Sequence, residues 1–346
     1  MVDYLVVGCG IAGISIARLL ADAGLKILII DRKPYIGGAC NDYYDEHGFL
    51  LHRHGPHMFH TKSSEVWNFL NRFINFNDYQ HRVYTYCDGE FSIFPPKAIN
   101  TIAPDLNECK NAEDYLYQVH GIENTDKYFR GYSEKHWGLG LKDLPVSIVS
   151  RVRLRTSDDP RYFMDKYQGM PIGGFSLMFY NMLDHPKIKV MLNTDYSEIA
   201  NLKLISKGMV WTGGIDELLD YKYGKLAYRS RVFTYRSYKE EYHQIGAVVN
   251  YPNDYDFIRV LEVKHATGQQ SPYTILMYEF PTEIGEPYYP FEIKGNTTTY
   301  TKYLMEFSQK YSDSEVYLLG RLATYKYLNM DTCVDNAFDL AKSILK

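Results

Sequence analysis

Three glycines and one aspartate near the start of the chain have the types and spacing of a dinucleotide-binding site. Gly8, Gly10 and Gly13 form a G-x-G-x-x-G pattern, and Asp31 follows at close to the distance of about 20 residues that such sites have. The first glycine permits a tight turn, the second lets the backbone approach a pyrophosphate, and the third lets a helix pack closely on a strand. The aspartate can accept a hydrogen bond from a ribose hydroxyl. The pattern therefore predicts a nucleotide cofactor at a helix N-terminus.

The elements that must position these residues occur in the required order. An apolar run over 4–7 predicts a strand, 11–21 has the apolar spacing of a helix, and 25–30 predicts a second strand. Gly37-Gly38 is a second glycine pair, which is typical of FAD-binding rather than NAD-binding proteins, although a plain β-turn would also use it. The cofactor-binding residues expected from this segment are Gly8, Gly10, Ile11, Ala12, Gly13, Asp31, Arg32, Gly37 and Gly38.

Four histidines within residues 52–60 form a second group that could do chemistry. They suggest a metal site at first, but no carboxylate or cysteine completes a recognisable ligand set, so we predict no metal. Gly55-Pro56 predicts a turn that places His57 and His60 on a loop. Such a loop could contact a flavin or a substrate, and solvated surface histidines are the alternative.

Three arginines on alternate positions form a third group. If residues 151–155 are a strand, then Arg151, Arg153 and Arg155 share one face of it. That face could neutralise a diphosphate, because guanidinium groups bind phosphate through two parallel hydrogen bonds. The alternative is an edge strand whose charges face solvent.

The bulk composition excludes several classes of protein. The net charge of −4 over 346 residues gives no sign of a nucleic-acid partner. No apolar run is long enough to cross a bilayer, and a first strand close to the N-terminus, with Asp3 in it, argues against a signal peptide. The five scattered cysteines fit reduced thiols in a cytoplasmic protein better than a disulfide framework.

Seven segments, in order along nearly the whole chain, together resemble the UDP-galactopyranose mutase family of flavoenzymes. These segments are 8–13, 55–61, 131–138, 162–171, 212–217, 286–290 and 320–327. The resemblance implies an α/β fold with a discontinuous FAD-binding Rossmann-like domain, a small helical insertion and an antiparallel β-sheet substrate domain. The expected ranges are 1–80, 174–224 and 300–346 for the FAD-binding domain, 100–148 for the insertion, and 81–99, 149–173 and 225–299 for the substrate domain.

The resemblance also implies an activity. Members of this family interconvert the pyranose and furanose forms of a nucleotide sugar, with N5 of reduced FAD as the nucleophile at the anomeric carbon. UDP-galactopyranose is the leading substrate, and UDP-N-acetylgalactosamine and dTDP-fucose are open alternatives. The product would be galactofuranose for a cell-surface polysaccharide.

Individual site residues follow from the same resemblance. Arg155 and Arg259 match the arginines that grip the diphosphate, and His57 and His60 match the loop facing the flavin, so these four are the expected catalytic residues. Trp137 matches a tryptophan on a loop that closes over the sugar. The expected substrate-binding residues are Tyr128, Tyr132, Trp137, Arg155, Tyr167, Arg259, Tyr288, Tyr289, Tyr327 and Asn329. The remaining expected cofactor contacts are His57, Gly320, Arg321, Asn329 and Met330.

Two departures from the family and two other functions complete these expectations. The helical insertion is shorter than in bacterial members, which puts the usual homodimer in doubt, and Asn329 replaces their aspartate. An FAD-dependent oxidoreductase of the amine-oxidase type would share the glycine pattern, but it has no diphosphate to hold. A non-catalytic nucleotide-sugar binder would have lost a core group, whereas the expected arginines and tyrosines are present.

Overall fold

The computed structural model describes residues 1–200 and 205–346, so residues 201–204 of the predicted FAD-binding range 174–224 lie outside the described residues. The strands in these ranges are β1 (Val2–Val7), β2 (Ile27–Ile30), β3 (Asp42–Tyr44), β4 (Leu50–His52), β5 (Phe59–Thr61), β6 (Val83–Cys87), β7 (Glu90–Phe94), β8 (Tyr167–Gly169), β9 (Ile188–Met191), β10 (Ile205–Trp211), β11 (Tyr228–Tyr238), β12 (Val248–Asn250), β13 (Arg259–Leu261), β14 (Thr274–Thr282), β15 (Tyr289–Pro290) and β16 (Val316–Leu318). The helices are α1 (Ile11–Asp22), α2 (Ser64–Asn71), α3 (Ala112–Thr125), α4 (Gly131–Trp137), α5 (Ser147–Ser150), α6 (Phe175–Leu183), α7 (Tyr196–Ile199), α8 (Ile215–Leu218), α9 (Lys264–Thr267), α10 (Lys294–Lys310) and α11 (Met330–Ile344). None of these helices is both long and apolar enough to cross a membrane.

A five-stranded parallel sheet carries the glycine pattern. Its strand order is β16-β10-β1-β2-β9, so the first two strands of the chain lie at its centre. All four residues of β2 are buried, as expected for a parallel strand covered on both faces. Helices α11 and α6 pack on α1, and the apolar side chains between them form the largest part of the core.

The turn between β1 and α1 requires glycine at two positions. Gly8 has a φ of 105°, and a Cβ added there would lie 2.0 Å from Oγ1 of Thr212. A Cβ on Gly13 would lie 2.0 Å from the carbonyl oxygen of Gly8. The third glycine therefore allows α1 to pack against the turn, as its position in the pattern predicts.

A seven-stranded sheet lies beside the parallel one, with the order β15-β11-β14-β13-β12-β6-β7. Its pairs are antiparallel except β12 with β6, which is parallel. The prediction of an antiparallel sheet is therefore wrong for that one pair. β6 and β12 are separated by more than a hundred residues, which include α3 and α4, so no tight hairpin fixes their direction.

The helical segment between β7 and β8 starts later than its polarity predicts. Helix α3 begins after Asn111, whose side chain accepts a hydrogen bond from the Asp114 amide at 3.0 Å, an N-cap that fixes the start. Residues 126–130 form a π-helical turn that leads into α4, and Gly138 ends α4 with a φ of 71°. The helical insertion thus presents Trp137 from the last position of a helix rather than from the expected loop.

Residues 151–166 contain no helix or strand, so the predicted strand with three arginines on one face is wrong. Turns and loop contacts occupy this segment: the Val152 amide donates to the Val149 carbonyl, and the Ala98 amide donates to the Arg155 carbonyl. β8, which follows, pairs with β5 in a separate two-stranded sheet. The division of the chain into three domains stays a prediction.

Candidate active site

A cavity of about 840 Å³ lies at the carboxyl ends of the parallel strands, where α/β folds bind their ligands. Val7 ends β1, Asp31 follows β2, Trp211 ends β10 and Gly320 lies just after β16, and all four line it. The expected cofactor-binding residues that line it are Gly8, Gly10, Ile11, Ala12, Asp31, Arg32, Gly37, Gly38, His57, Gly320, Arg321 and Met330. Gly13 lies outside the lining, because its role is to let α1 approach the turn.

The donors and acceptors around this cavity fit a dinucleotide. Asp31 is held by the backbone amides of Cys9 at 2.8 Å and Lys33 at 2.9 Å, and each carboxylate oxygen keeps a lone pair for a ribose hydroxyl. Gly38 approaches Gly10 closely, since a Cβ on Gly38 would lie 3.0 Å from the Gly10 Cα. Oγ of Ser230, which is 1 % exposed, lines the cavity without a hydrogen-bond partner in the part of the chain that the structure describes.

Two features refine the expected cofactor contacts. The Arg32 guanidinium makes two hydrogen bonds to the Glu217 carboxylate, at 2.7 and 2.9 Å, so it clamps the cavity rim and is not free for a phosphate. The N-terminus of α11 faces the cavity at Met330, and the side chain of its N-cap, Asn329, makes no capping hydrogen bond. The positive end of this helix dipole suits a flavin ring that carries negative charge.

A second cavity, of about 600 Å³, adjoins the first. The residues shared by both linings are Ala39, His57, Tyr288, Arg321, Leu328 and Met330. The expected substrate-binding residues that line the second cavity are Tyr132, Trp137, Arg259, Tyr288, Tyr289, Tyr327 and Asn329, and His60 lines it too. The two cavities are thus neighbours, and His57 is one of the residues at the junction between them.

A buried ionic triad supports one wall of the second cavity, which its member Arg259 lines. Glu279 is 1 % exposed and lies opposite Arg259 across β13 and β14. Its two oxygens accept hydrogen bonds from Nε of Arg259 at 2.6 Å and from Nε of Arg231 at 2.7 Å. Burial alone would raise the pKa of Glu279, but the charges of Arg259 and Arg231 hold it below its ordinary value. Two guanidinium groups share one carboxylate, so the triad carries a net positive charge.

Two stacked tyrosines and two more arginines face this triad. The rings of Tyr289 and Tyr327 are parallel within 6°, with centroids 5.7 Å apart. The guanidinium carbons of Arg151 and Arg321 lie 4.2 and 4.6 Å from the Tyr327 ring centroid. Withdrawal from solvent raises the pKa of Tyr327, but the charges of Arg151, Arg321, Arg259 and Arg231 outweigh this and lower it. The potential here suits an anion such as a diphosphate.

Three expected substrate-binding residues lie away from this cavity. Arg155 is 8 % exposed, and its Nη1 donates to the Pro95 carbonyl at 3.3 Å because the loop turns its side chain inward. Tyr167 lies in β8 and stacks on Trp67, with ring centroids 5.3 Å apart. Tyr128 lies in the π-helical turn outside the lining. Arg151 lines the second cavity and Arg155 does not, so the expected contact of Arg155 with a diphosphate stays a prediction.

The predicted histidines both line the second cavity, and His57 lines the first as well. Nδ1 of His57 is 3.0 Å from the Gly55 carbonyl, so it carries the hydrogen and Nε2 is unprotonated. Burial, with the charges of His52 and Arg321, lowers the pKa of His57 to about 3, so the ring is neutral at pH 7. His60 contacts Asp165 through Nδ1 at 2.5 Å. Within the described ranges no group of three or more histidine, cysteine or carboxylate side chains could hold a metal.

Three residues of this wall were not predicted from the sequence. They are Arg231, His136 and Glu279, which are far apart in the chain and meet through the register of the sheet and the end of α4. Burial and the charges of Arg231 and its neighbours lower the pKa of His136 well below its ordinary value. The neutral ring therefore fits against Arg231, whose Nη2 lies 2.8 Å from Nδ1 of His136. The sequence signal that could have pointed to Arg231 is its alternation with Arg229 along a strand.

We predict that Glu279→Gln lowers the free energy of unfolding by about 3–5 kcal/mol at pH 7, because two buried guanidinium groups then share no charge partner. The lowered pKa of Glu279 gives the pH dependence: its stabilisation is complete above its unfolded pKa and is lost as pH falls through the folded value. Thermal unfolding at pH 7 and pH 4 measures both effects. The difference in melting temperature between wild type and the variant should be smaller at pH 4 than at pH 7.

The control is Glu240→Gln, which removes a carboxylate from a side chain that is 46 % exposed and should cost less than about 1 kcal/mol. Equal losses for both variants would show that the triad does not hold the sheet together.

Comparisons with known proteins agree with this geometry. A family model described as UDP-galactopyranose mutase matches residues 127–327, and one described as an NAD(P)-binding Rossmann-like domain matches residues 6–73. The chain is 31 % identical to a dTDP-fucopyranose mutase of Escherichia coli, over 100 % of this chain and 99 % of that one. It is 32 % identical to a UDP-galactopyranose mutase of Mycoplasma pneumoniae, over 99 % of this chain and 96 % of that one. A crystal structure of reduced UDP-galactopyranose mutase superimposes with a TM-score of 0.79 at 16 % identity, covering 100 % of this chain and 96 % of that chain.

Proposed function

Because this chain belongs to the UDP-galactopyranose mutase family, whose members are isomerases that use FAD, we propose that it converts UDP-galactopyranose to UDP-galactofuranose. The observation that carries the proposal is the positive wall of Arg151, Arg259 and Arg321 around the stacked Tyr289–Tyr327 pair. This wall lines a cavity that adjoins the cofactor cavity. A nucleotide diphosphate held there would place its sugar toward the flavin.

The residues that would hold FAD follow from the first cavity. Asp31 would accept from the ribose, the backbone at Gly10 and Gly38 would face the pyrophosphate, and the N-terminus of α11 would face the flavin ring. When bound and reduced, FAD supplies a nucleophilic nitrogen, N5, for the anomeric carbon. His57, neutral and fixed by Gly55, would contact the ring from the junction.

The chain's own contribution would be to hold the leaving diphosphate. Arg259 and Arg151 would each bind phosphate oxygens and stabilise the charge that develops as the bond from the anomeric carbon to oxygen breaks. Tyr289 and Tyr327 would donate from their hydroxyl groups to the same phosphates. Holding the diphosphate close would keep it ready to return to the rearranged sugar.

The apolar walls of the second cavity would exclude water from the open sugar. Phe94, Phe129, Tyr162, Phe163 and Trp137 line it, and Trp137 is 4 % exposed at the end of α4. An aromatic enclosure also suits a nucleobase and the carbon face of a sugar ring. An amine oxidase for cationic amines would not surround its substrate with arginines, so the charge of this cavity favours the mutase.

Three sugars test the proposal directly. Dithionite-reduced protein is incubated with UDP-galactose, UDP-N-acetylgalactosamine or dTDP-fucose, and pyranose is separated from furanose by chromatography. We expect a furanose product from UDP-galactose with the reduced protein and none with the oxidised protein, because N5 is nucleophilic only when reduced. A product from another sugar alone would move the assignment to that substrate. No product from any sugar, with FAD bound and reduced, would contradict the mutase proposal.

Location and assembly are also proposals. The five cysteines are unpaired and buried within the described ranges, which supports a reducing compartment such as the cytoplasm. Nucleotide-sugar synthesis for a surface polysaccharide would take place there. A homodimer stays a prediction that sedimentation measurements would test.

A further inference from the structure

We propose that Asp165 is a positioning residue that turns His60 into the proton carrier for opening and closing the sugar ring. The proposal rests on the proposed mutase function. It starts from a contact between two residues far apart in sequence. Nδ1 of His60 and Oδ2 of Asp165 are 2.5 Å apart, and the two side chains are 13 and 14 % exposed.

The backbone fixes this pair in place. His60 is the middle residue of β5 and pairs with Gln168 of β8, so the loop before β8 lies against the histidine. The Gln168 side-chain amide donates to the carbonyls of Phe163 and Asp165, at 3.1 and 3.0 Å, which ties that loop down. The Phe163 ring stacks on His60 with centroids 3.6 Å apart. The imidazole therefore has one orientation.

This orientation settles which nitrogen faces the substrate. An ionised carboxylate only accepts hydrogen bonds, so Nδ1 of His60 carries the hydrogen in this contact. Nε2 makes no hydrogen bond with any described residue, so it is free to release a proton and to take one up. His60 lines the second cavity whereas Asp165 does not. The arrangement is a base oriented by a carboxylate behind it, which is how acid–base histidines are prepared in enzymes.

The sugar rearrangement needs one proton moved between two sugar oxygens. When the bond from the anomeric carbon to the ring oxygen breaks, that oxygen must gain a proton, and the hydroxyl that closes the furanose must lose one. Nε2 of His60, protonated in the imidazolium that Asp165 stabilises, would donate a proton to the ring oxygen in the first step. The neutral ring would then take a proton from the closing hydroxyl in the second step, which restores the imidazolium. No proton is gained or lost overall, and no oxidant or reductant is consumed.

Several charged groups face this pair. Nζ of Lys62 is 3.9 Å from the other Asp165 oxygen, and its side chain is 86 % exposed. His81 stacks on the same Phe163 ring, and burial, with the nearby charges of His60 and Arg259, lowers its pKa to about 3, so it is neutral. Asp165 is therefore the carboxylate that contacts His60 directly.

The test is Asp165→Asn in the reduced holoenzyme. We expect kcat to fall by roughly 10–100-fold, part of what acid–base catalysis contributes, with KM changed little. The alkaline limb of the kcat profile, where the proton-donating imidazolium is lost, should move to lower pH, because the imidazolium has lost its carboxylate. FAD absorbance and UDP binding should match wild type. Asp158→Asn removes the same charge from a side chain that is 92 % exposed and should change none of these.

A double variant separates positioning from structure. If Asp165 acts through His60, then Asp165→Asn should cost nothing further in a His60→Ala background. An additional loss there, or an unchanged kcat and pH profile in Asp165→Asn alone, would overturn the proposal. Wild-type enzyme that makes no furanose from any sugar would instead refute the mutase function, so the two failures are distinguishable.

Discussion

Replacing Arg259 by alanine should lower the turnover of the reduced enzyme by roughly 10²–10³-fold, the cost of removing one group that stabilises developing charge. FAD should remain bound, because Arg259 lies in β13 and lines the second cavity but not the first. The expected size follows from the triad. Arg231 and Glu279 would remain as a neutral pair, so the triad would lose its net positive charge.

Two matched variants define that effect. Arg259→Lys keeps the charge but loses the paired hydrogen bonds, so its turnover should lie between those of wild type and the alanine variant. Arg236→Ala removes an exposed arginine of β11, which stacks on Tyr278, and should leave turnover unchanged. Turnover, UDP affinity and the flavin absorbance spectrum are measured together. Loss of FAD from Arg259→Ala, or more than a third of wild-type turnover, would contradict the assigned role.

Arg151→Ala should weaken UDP binding by about 10–100-fold, equivalent to the roughly 1.5–3 kcal/mol of a hydrogen bond to a charged group. Arg151 is exposed and stacks on Tyr327, and it makes no ion pair or hydrogen bond with the described residues, so its removal should not lower the melting temperature. Arg155→Ala should leave UDP binding unchanged and should lower the melting temperature. It empties a buried site and leaves the Pro95 carbonyl without its donor, at a cost of about 1–3 kcal/mol of stability.

Titration calorimetry with UDP and thermal unfolding together distinguish the two arginines. The reverse outcome, weak UDP binding in Arg155→Ala and normal binding in Arg151→Ala, would restore the assignment made from sequence. These two residues lie four positions apart in a segment without regular structure. A shift of four positions along this segment therefore separates an arginine that lines the cavity from an arginine that is buried.

The cofactor end of the molecule was predictable because its signals are local. Gly8, Gly13 and Asp31 each act within one strand–helix–strand unit, and their types follow from a turn, a close approach and a hydrogen bond to nearby backbone amides. The predicted helices and strands of this unit are confirmed to within a few residues. The order of the strands in the parallel sheet was not predicted from the sequence.

The substrate end was predicted less well because its contacts are between distant segments. The register of the sheet and the end of a helix bring together Arg231, Glu279 and His136. Periodicity within one segment does not indicate such contacts between distant segments. The alternation of Arg151, Arg153 and Arg155 looked like a strand, but alternation says nothing about whether a partner strand exists. Where tyrosine is abundant, sequence also could not tell Tyr167, packed on Trp67, from the tyrosines that line the cavity.

The order of strands in the parallel sheet also determines when the protein can first take up its cofactor. β1 and β2 leave the ribosome first, yet their neighbours β9, β10 and β16 come from residues 188–318, and α11, which covers α1, follows these. During translation the glycine turn therefore lacks the walls that Gly320, Arg321 and Met330 provide. FAD uptake is a late event, and the apolar central strands must be kept from aggregating until then.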